Sequence, residues 1–244
     1  MHPPYRILCM TSDKYIDAVR PFMYLLNKHW VPNPNVIVAG FTPPTFDLPS
    51  NADFLVIGEP EDYPIKKWSN GLYRALSVLE DEVLVVMLED YWLTRPVNSA
   101  VIKIMYDYML QFTNVIKVDL RSDRLYAGGA DKEYGHAGYV DLVKSMPGSP
   151  YHMSLMTGLW NRKLLLSAIR PEWTPWDVEI AGTTVLSHMQ ELMVLGTKQN
   201  PLEHTLAFRG GEHQQLLLDD ISEVDVDELT KLGYLNPWLG SGNE

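Results

Sequence analysis

The segment Glu82–Pro96, EVLVVMLEDYWLTRP, constrains this chain more than any other stretch. Glu82–Leu88 is apolar almost throughout. A strand of that kind must be covered on both faces, which is the condition of a central strand in a mostly parallel sheet packed between helices. It then ends in two adjacent carboxylates, Glu89 and Asp90. In open α/β sheets, ligands bind at the carboxyl ends of the strands. Acids placed there can hold Mg²⁺ or Mn²⁺ against substrate phosphates. Spacing alone equally allows solvated loop acids or caps of the next turn.

The surrounding pattern fits an α/β chain. Tyr5–Met10, Asn35–Phe41, Ala52–Ile57 and Asn114–Leu120 read as strands. Between them, 13–29, 70–79 and 97–112 carry apolar residues at helical spacing. Beyond residue 120 the pattern loosens. Residues 121–150, rich in Gly, Asp and Tyr, read as loops with short elements, and 151–160 as a strand. Residues 161–169 and 175–195 read as helices, 202–208 as a last strand, and 225–232 as a short helix. The expected fold is α/β: a mixed, mostly parallel Rossmann-like sheet flanked by helices in one domain.

Composition removes several classes. Apolar residues make up 46% and charged residues 21% of the 244, a globular balance. No run approaches a membrane span. The start, MHPPYRILCM, lacks the pattern of a signal peptide, so a cytoplasmic location is expected. The single Cys9 excludes internal disulfides and cysteine-rich zinc sites. Net charge is −11, and residues 201–244, with 2 basic and 9 acidic side chains, hold −7 of it. That disfavours tight non-specific nucleic-acid binding. No P-loop, G-x-G-x-x-G, G-x-S-x-G or H-E-x-x-H pattern occurs.

Four further clusters carry chemistry. Ser69-Asn70-Gly71-Leu72-Tyr73-Arg74 lies about twenty residues before the acidic strand end. Gly158-Leu159-Trp160 precedes Thr174-Pro175-Trp176-Asp177-Val178-Glu179. Thr174, Pro175 and Asp177 make a helix start with N-cap, Pro at N1 and acid at N3, so Asp177 also has a capping role open to it. Phe208-Arg209-Gly210-Gly211-Glu212-His213 joins a cation to a glycine pair that can approach a diphosphate. Thr11-Ser12-Asp13 closes the first strand, where the same residues can equally cap the next helix.

In this order the motifs resemble the GT-A fold of nucleotide-sugar glycosyltransferases. In that family a buried strand ends in a D-x-D-like acidic motif, and an N-x-G-type segment lies upstream. Here the motif reads Leu88-Glu89-Asp90-Tyr91, without a second aspartate. The resemblance implies an enzyme of the hexosyltransferase kind, using a UDP-sugar such as UDP-glucose with Mn²⁺ or Mg²⁺, and inverting. It implies metal ligation by Asp90 and His213, with His204 as the alternative to His213. It implies donor contacts from Thr11, Ser12, Asp13, Asn70, Arg74, Glu89, Asp90, Trp160, Trp176, Arg209 and Gly211, with Tyr15 stacking on the base. Glu179 would be the general base that deprotonates the acceptor hydroxyl, and Asp177 the alternative.

The same resemblance divides the chain into a nucleotide-sugar half (1–120), an acceptor-side half (121–220) and an acidic end (221–244). For the acceptor it points to small phage and bacterial glycosyltransferases. Hydroxymethylated pyrimidines of phage DNA, met by Arg121, Arg124, Lys132, Tyr126, Tyr134 and Tyr139, are the favoured acceptor, and a surface glycan is the other. A phage enzyme would work in the host cytoplasm. A nucleotidyltransferase or a non-catalytic nucleotide-sugar-binding module is the reading from another class. Neither the pattern nor the resemblance predicts an oligomeric state.

Overall fold

The computed structural model describes residues 2–121, 124, 131–209 and 215–239. Among them nine strands form one sheet. From one edge the strands are β3 (Ala52–Val56), β2 (Asn35–Gly40), β1 (Arg6–Met10), β4 (Val83–Leu88), β9 (Gly158–Asn161), β6 (Val115–Asp119), β10 (Met193–Thr197), β8 (Val140–Ser145) and β7 (Lys132–Ala137). The pairings β1–β2, β1–β4, β2–β3 and β6–β10 are parallel. The pairings β4–β9, β6–β9, β8–β10 and β7–β8 are antiparallel. The sheet is therefore mixed. β9 runs backward between β4 and β6, so the segment that leads into it arrives at the carboxyl ends of both neighbours.

Alternation along the strands splits the core in two. Ile7, Cys9, Val85 and Met87 face one side, where α1 (Val19–His29) and α3 (Ser99–Gln111) contribute Phe22, Leu26, Ile102 and Met105. Leu8, Met10, Leu84 and Val86 face the other, beneath α2 (Trp68–Val78), α4 (Arg162–Ala168) and α5 (Pro175–His188). Burial on both faces is what the unbroken apolar run of β4 requires. No helix of the described residues is long and apolar enough to cross a membrane.

The structure departs from the sequence pattern in five places. The strand expected over 151–160 is only β9, and 151–157 is irregular because the Met153 and Leu155 amides donate to side chains of α5 rather than to a neighbouring strand. The helix expected over 13–29 opens as a 3₁₀ segment, Asp13–Ala18, before turning α-helical at Val19. The helix expected over 175–195 stops at His188. Met193–Thr197 is instead the fully buried strand β10, whose apolar run carries no period that separates it from a helix. The loop expected at 121–150 contains the β7–β8 hairpin, turned at Gly138 with φ +58° and distorted beside Gly135. β7 is exposed at every residue except Ala137, so it lacks the apolar alternation that marks a strand. The strand expected over 202–208 is broken in two: β11 (His204–Leu206) pairs with β5 (Tyr91–Leu93) outside the main sheet, and Phe208–Arg209 pairs separately with Gln215–Leu216.

The acidic end folds back on the molecule. α6 (Glu223–Lys231) meets the basic end of α1, where Lys28 pairs with Asp225 at 2.7 Å and with Glu228, and Tyr24 donates to Glu228 at 2.8 Å. Beyond it, Trp238 packs on Phe208 and Trp92 with ring centroids 5.0 and 6.2 Å away.

Gly196 in β10 lies opposite Asp119 of β6. A Cβ there would stand 2.7 Å from Cγ and 2.9 Å from Cβ of buried Arg124. Gly196→Ala is expected to destabilise the fold by about 1–3 kcal/mol through overpacking. Urea denaturation checks this: the midpoint falls while the slope stays unchanged.

Candidate functional site

β4 delivers Glu89 and Asp90 to the carboxyl edge, and the backbone there is fixed. Trp92 Nε1 donates to the Glu89 carbonyl at 3.0 Å. The Asp90 carbonyl accepts from Trp92 N at 3.2 Å and from Ala207 N at 2.8 Å. The carboxyl groups have no comparable partners. Glu89 is 8% exposed, and Asp90 Oδ1 is buried without a hydrogen bond. Burial, then the charge of Asp90, pushes the Glu89 carboxyl well above its usual range. Burial pushes Asp90 up to about 6. The Tyr91 hydroxyl is raised first by burial, then by Asp90, Glu179 and Glu89, and Arg121 opposes them. Three carboxyl groups and one guanidinium thus act on the Tyr91 hydroxyl.

His204 closes this cluster from β11. Its ring stacks on Tyr91, with centroids 4.4 Å apart and planes 6° from parallel. Burial lowers its pKa to about 3, so the ring is neutral at pH 7, and Nε2 has no partner. Among the described residues no three His, Cys, Asp or Glu side chains converge as a metal cage. An orphaned carboxylate oxygen beside a second raised carboxyl nevertheless fits Mg²⁺ or Mn²⁺, which commonly take one or two carboxylates and complete their shell with water and substrate phosphate. Asp90 and Glu89 are the residues that would hold the ion. His213 and Gly211 lie outside the described residues, as does the side chain of Arg209.

Glu179 reaches the same edge from α5. Its Oε1 accepts from Leu155 N at 2.7 Å and from the Ser154 hydroxyl at 3.4 Å. Asp177, the alternative base, is committed elsewhere. Its Oδ2 accepts from Thr174 N at 3.0 Å and from the Thr174 hydroxyl at 2.7 Å, completing a capping box that holds the carboxyl below the usual range. The role the structure gives Asp177 is thus that of the helix cap.

The remaining expected contacts divide sharply. Trp160 is no donor wall: it is fully buried, with the Lys117 ammonium 5.0 Å from its ring centre. Trp176, on α5, is 63% exposed. At the end of β1, Asp13 accepts from Thr42 N at 2.9 Å and from its hydroxyl at 2.8 Å, which ties β1 to the end of β2. Thr11 is buried, and Ser12 precedes the 3₁₀ turn without capping it through its side chain. Tyr15 lies 6.2 Å from Phe208. Asn70 Oδ1 accepts from Glu172 N at 2.9 Å, so Asn70 joins α2 to the 172–173 corner, and Arg74 is exposed one turn on.

The cations expected to meet a DNA acceptor are mostly engaged inside the protein. Arg124 is 3% exposed and bound to Asp119, Ser145 and the Tyr151 carbonyl. Arg121 pairs with Glu203 at 3.3 Å. Lys132 is exposed, as are Tyr134 and Tyr139, while Tyr126 lies outside the described residues. The sequence reading passed over Lys117 and Asp119. The signal was present in NVIKVDL, where two charges two residues apart share one face of an otherwise apolar strand.

No protein-family model and no curated protein matches the chain by sequence. Among solved structures it is similar to the glycosyltransferase GlyE of Streptococcus pneumoniae, at TM-score 0.43 and 11% identity over 81% of this chain. The chain spans 46% of that protein's length. It is also similar to a cytidylyltransferase of Leptospira borgpetersenii, at TM-score 0.47 and 12% identity over 100% of this chain and 99% of that one. A third similar structure is the CMP:2-keto-3-deoxy-manno-octonic acid synthetase complexed with CTP, at TM-score 0.42 and 10% identity over 80% and 89% of the two chains.

Asp90 holds its proton more tightly in the folded chain, about 6 against an ordinary 3.8. The stability this contributes is present below pH 3.8 and lost as the pH rises through about 6. Asp90→Asn is therefore expected to raise stability at pH 7 by about 1–3 kcal/mol, since it removes a buried charge with no partner. It should also weaken Mn²⁺ binding at least tenfold. Thermal unfolding between pH 4 and 8 and calorimetric Mn²⁺ titration check the two outcomes; an Asp90→Asn protein less stable than wild type at pH 7 contradicts the first.

Proposed function

We propose that this protein transfers a sugar from a nucleoside-diphosphate sugar, a UDP-hexose in the first instance, to an acceptor hydroxyl, with inversion. The observation that carries the reading is the end of β4: buried Glu89 and half-buried Asp90, whose Oδ1 is buried without a hydrogen bond, at the edge of the sheet that Glu179 reaches from α5. A bound Mg²⁺ or Mn²⁺ would neutralise the charge that grows on the leaving diphosphate.

The chain's own residues supply the rest of the proposal. Thr11, Ser12 and Asp13 at the end of β1, with Tyr15, would take the base and ribose. Asn70 and Arg74 on α2 would border the donor, and Arg209, Gly211 and His213 would close over the diphosphate. In this scheme 1–120 holds the donor and 121–220 presents the acceptor, while in the acidic end 221–244 α6 braces α1. Glu179 would accept the proton of the acceptor hydroxyl as its oxygen bonds to the anomeric carbon and the bond to the diphosphate breaks. Glu179 Oε1 is occupied by Leu155 N and Ser154, while Oε2 takes no hydrogen bond from the described residues. The exposed Trp176, three residues before Glu179, offers a stacking face to an acceptor saccharide. With Arg124 internal, a glycan acceptor fits better than the hydroxymethyl group of a DNA pyrimidine.

The decisive experiment offers a panel of nucleotide sugars with and without Mn²⁺ and measures nucleoside diphosphate release. Soluble saccharides and hydroxymethylated DNA serve as acceptors in parallel. Metal-dependent release with transfer is expected from wild type. Glu179→Gln keeps an oxygen for Leu155 N but no base, so donor binding should persist while transfer falls about 10²–10⁴-fold. Pyrophosphate release from a nucleoside triphosphate and a sugar, in place of diphosphate release, would identify a nucleotidyltransferase. Donor binding without turnover would identify a binding module.

A further inference from the structure

Lys117 is the one lysine among the largest fully buried side chains, with 0% exposure in the middle of the sheet. Lysine is almost never fully buried without a partner, and burial of its charge is costly. Here the neighbouring chain is cut to receive it. A Cβ on Gly158 would lie 2.6 Å from Lys117 Cε and 3.0 Å from the Val118 carbonyl, so only glycine leaves room for the stem. The Trp160 ring lies 5.0 Å from the ammonium. The Gly158-Leu159-Trp160 motif thus lines a channel for Lys117.

The ammonium ends on two partners. It pairs with Asp119, and it donates to the Ser154 carbonyl at 2.7 Å. Asp119 is shared with Arg124, which also binds the Tyr151 carbonyl. From the other side, α5 grips the same segment. Thr183 accepts from Met153 N at 3.0 Å, Glu179 accepts from Leu155 N, and Gly182 leaves room for Met153, whose sulfur would lie 2.6 Å from a Cβ. Residues 151–157 are therefore held between β6 and α5 at the carboxyl edge of the sheet, with Tyr151 forced to φ +50°. Glu179 also acts electrostatically on Lys117, so two cations and two carboxylates balance across the segment.

We propose that Lys117 is the positioning residue of the acceptor side: through the Ser154 carbonyl it sets residues 151–157, the frame on which Glu179 places its carboxylate. The proposal rests on the reading of Glu179 as the base, but its geometric half does not. Lys117 touches no reacting atom. Its contribution is to keep Leu155 N pointed at Glu179 Oε1, which holds the carboxylate at one place and orientation. A lysine serves because its charge completes the balance; leucine would fill the volume and leave the Ser154 carbonyl and Glu179 without it.

Lys117→Met leaves the Asp119–Arg124 pair intact and internally neutral. Lys117→Gln keeps a donor for the Ser154 carbonyl while removing the charge. Amide proton shifts and hydrogen exchange are measured on the full chain, together with calorimetric donor binding and acceptor kinetics. For Lys117→Met the expected result is at least tenfold faster exchange confined to 152–157 and an upfield move of the Leu155 amide proton. Donor affinity should be unchanged and kcat at least tenfold lower, with partial recovery of both loop protection and kcat in Lys117→Gln. A folded Lys117→Met protein with wild-type exchange and Leu155 shift overturns the proposal. If Lys117→Met does not fold, Lys117→Gln decides: wild-type kcat and exchange in that variant also overturn it. Absence of any transfer by the wild type would instead remove the glycosyl reading, and the exchange and shift measurements would still decide the role of Lys117.

Discussion

Everything at the candidate site depends on where β4 stops being buried. From Val83 to Met87 the strand is enclosed by helices on both faces and by β1 and β9 on both edges. No polar side chain is tolerated along it without a partner. The first acids therefore appear where the sheet ends, and they appear together. Their carbonyls are pinned by Trp92 and Ala207, so the backbone cannot turn the carboxyl groups away. Raised acids with an orphaned oxygen follow from that confinement. They represent stability given up at the end of β4.

A few residues away the same sheet handles charge in the opposite way. Lys117, Asp119 and Arg124 are as buried as Glu89, yet each has a partner of opposite sign. Attraction within a dry interior repays desolvation only when such partners are close and complete. One group of charges is thus compensated by ion pairs, while Glu89 and Asp90 have no ion-pair partner among the described residues. β9 separates them. Because it runs antiparallel, its entry segment 151–157 reaches the edge between β4 and β6 and brings Ser154 and Leu155 against Glu179.

The outlying elements act as braces. β5 and β11 form a small ribbon that places His204 on Tyr91, and Trp238 from the chain's acidic end backs Trp92 and Phe208. The charge of that end is met by Lys28 and His29 of α1. Its concentration in the last residues is therefore an intramolecular matter in part.

The sequence by itself determined the α/β class, the central strand, the acids at its end, the α5 start at Thr174 and most of the first 120 residues. These follow from local rules: apolar runs, helical spacing and capping chemistry act over a few residues. It also marked Glu179 as distinct from Asp177, because only one acid is needed for a cap. Tertiary structure decided the rest. β10 passed for helix because a strand buried on both faces has no period of its own, and the β7–β8 hairpin was missed because an exposed edge needs no apolar alternation. Trp160 could be a wall or a core residue until β6 placed Lys117 beside it. Gly158 acquired its reason only from a side chain forty-one residues earlier. Arg124, a surface cation by type, became internal because Asp119 lay within reach. In each case the deciding partner is distant in sequence, and the energy of a buried charge or a packed ring depends on that partner rather than on the residue's own neighbours.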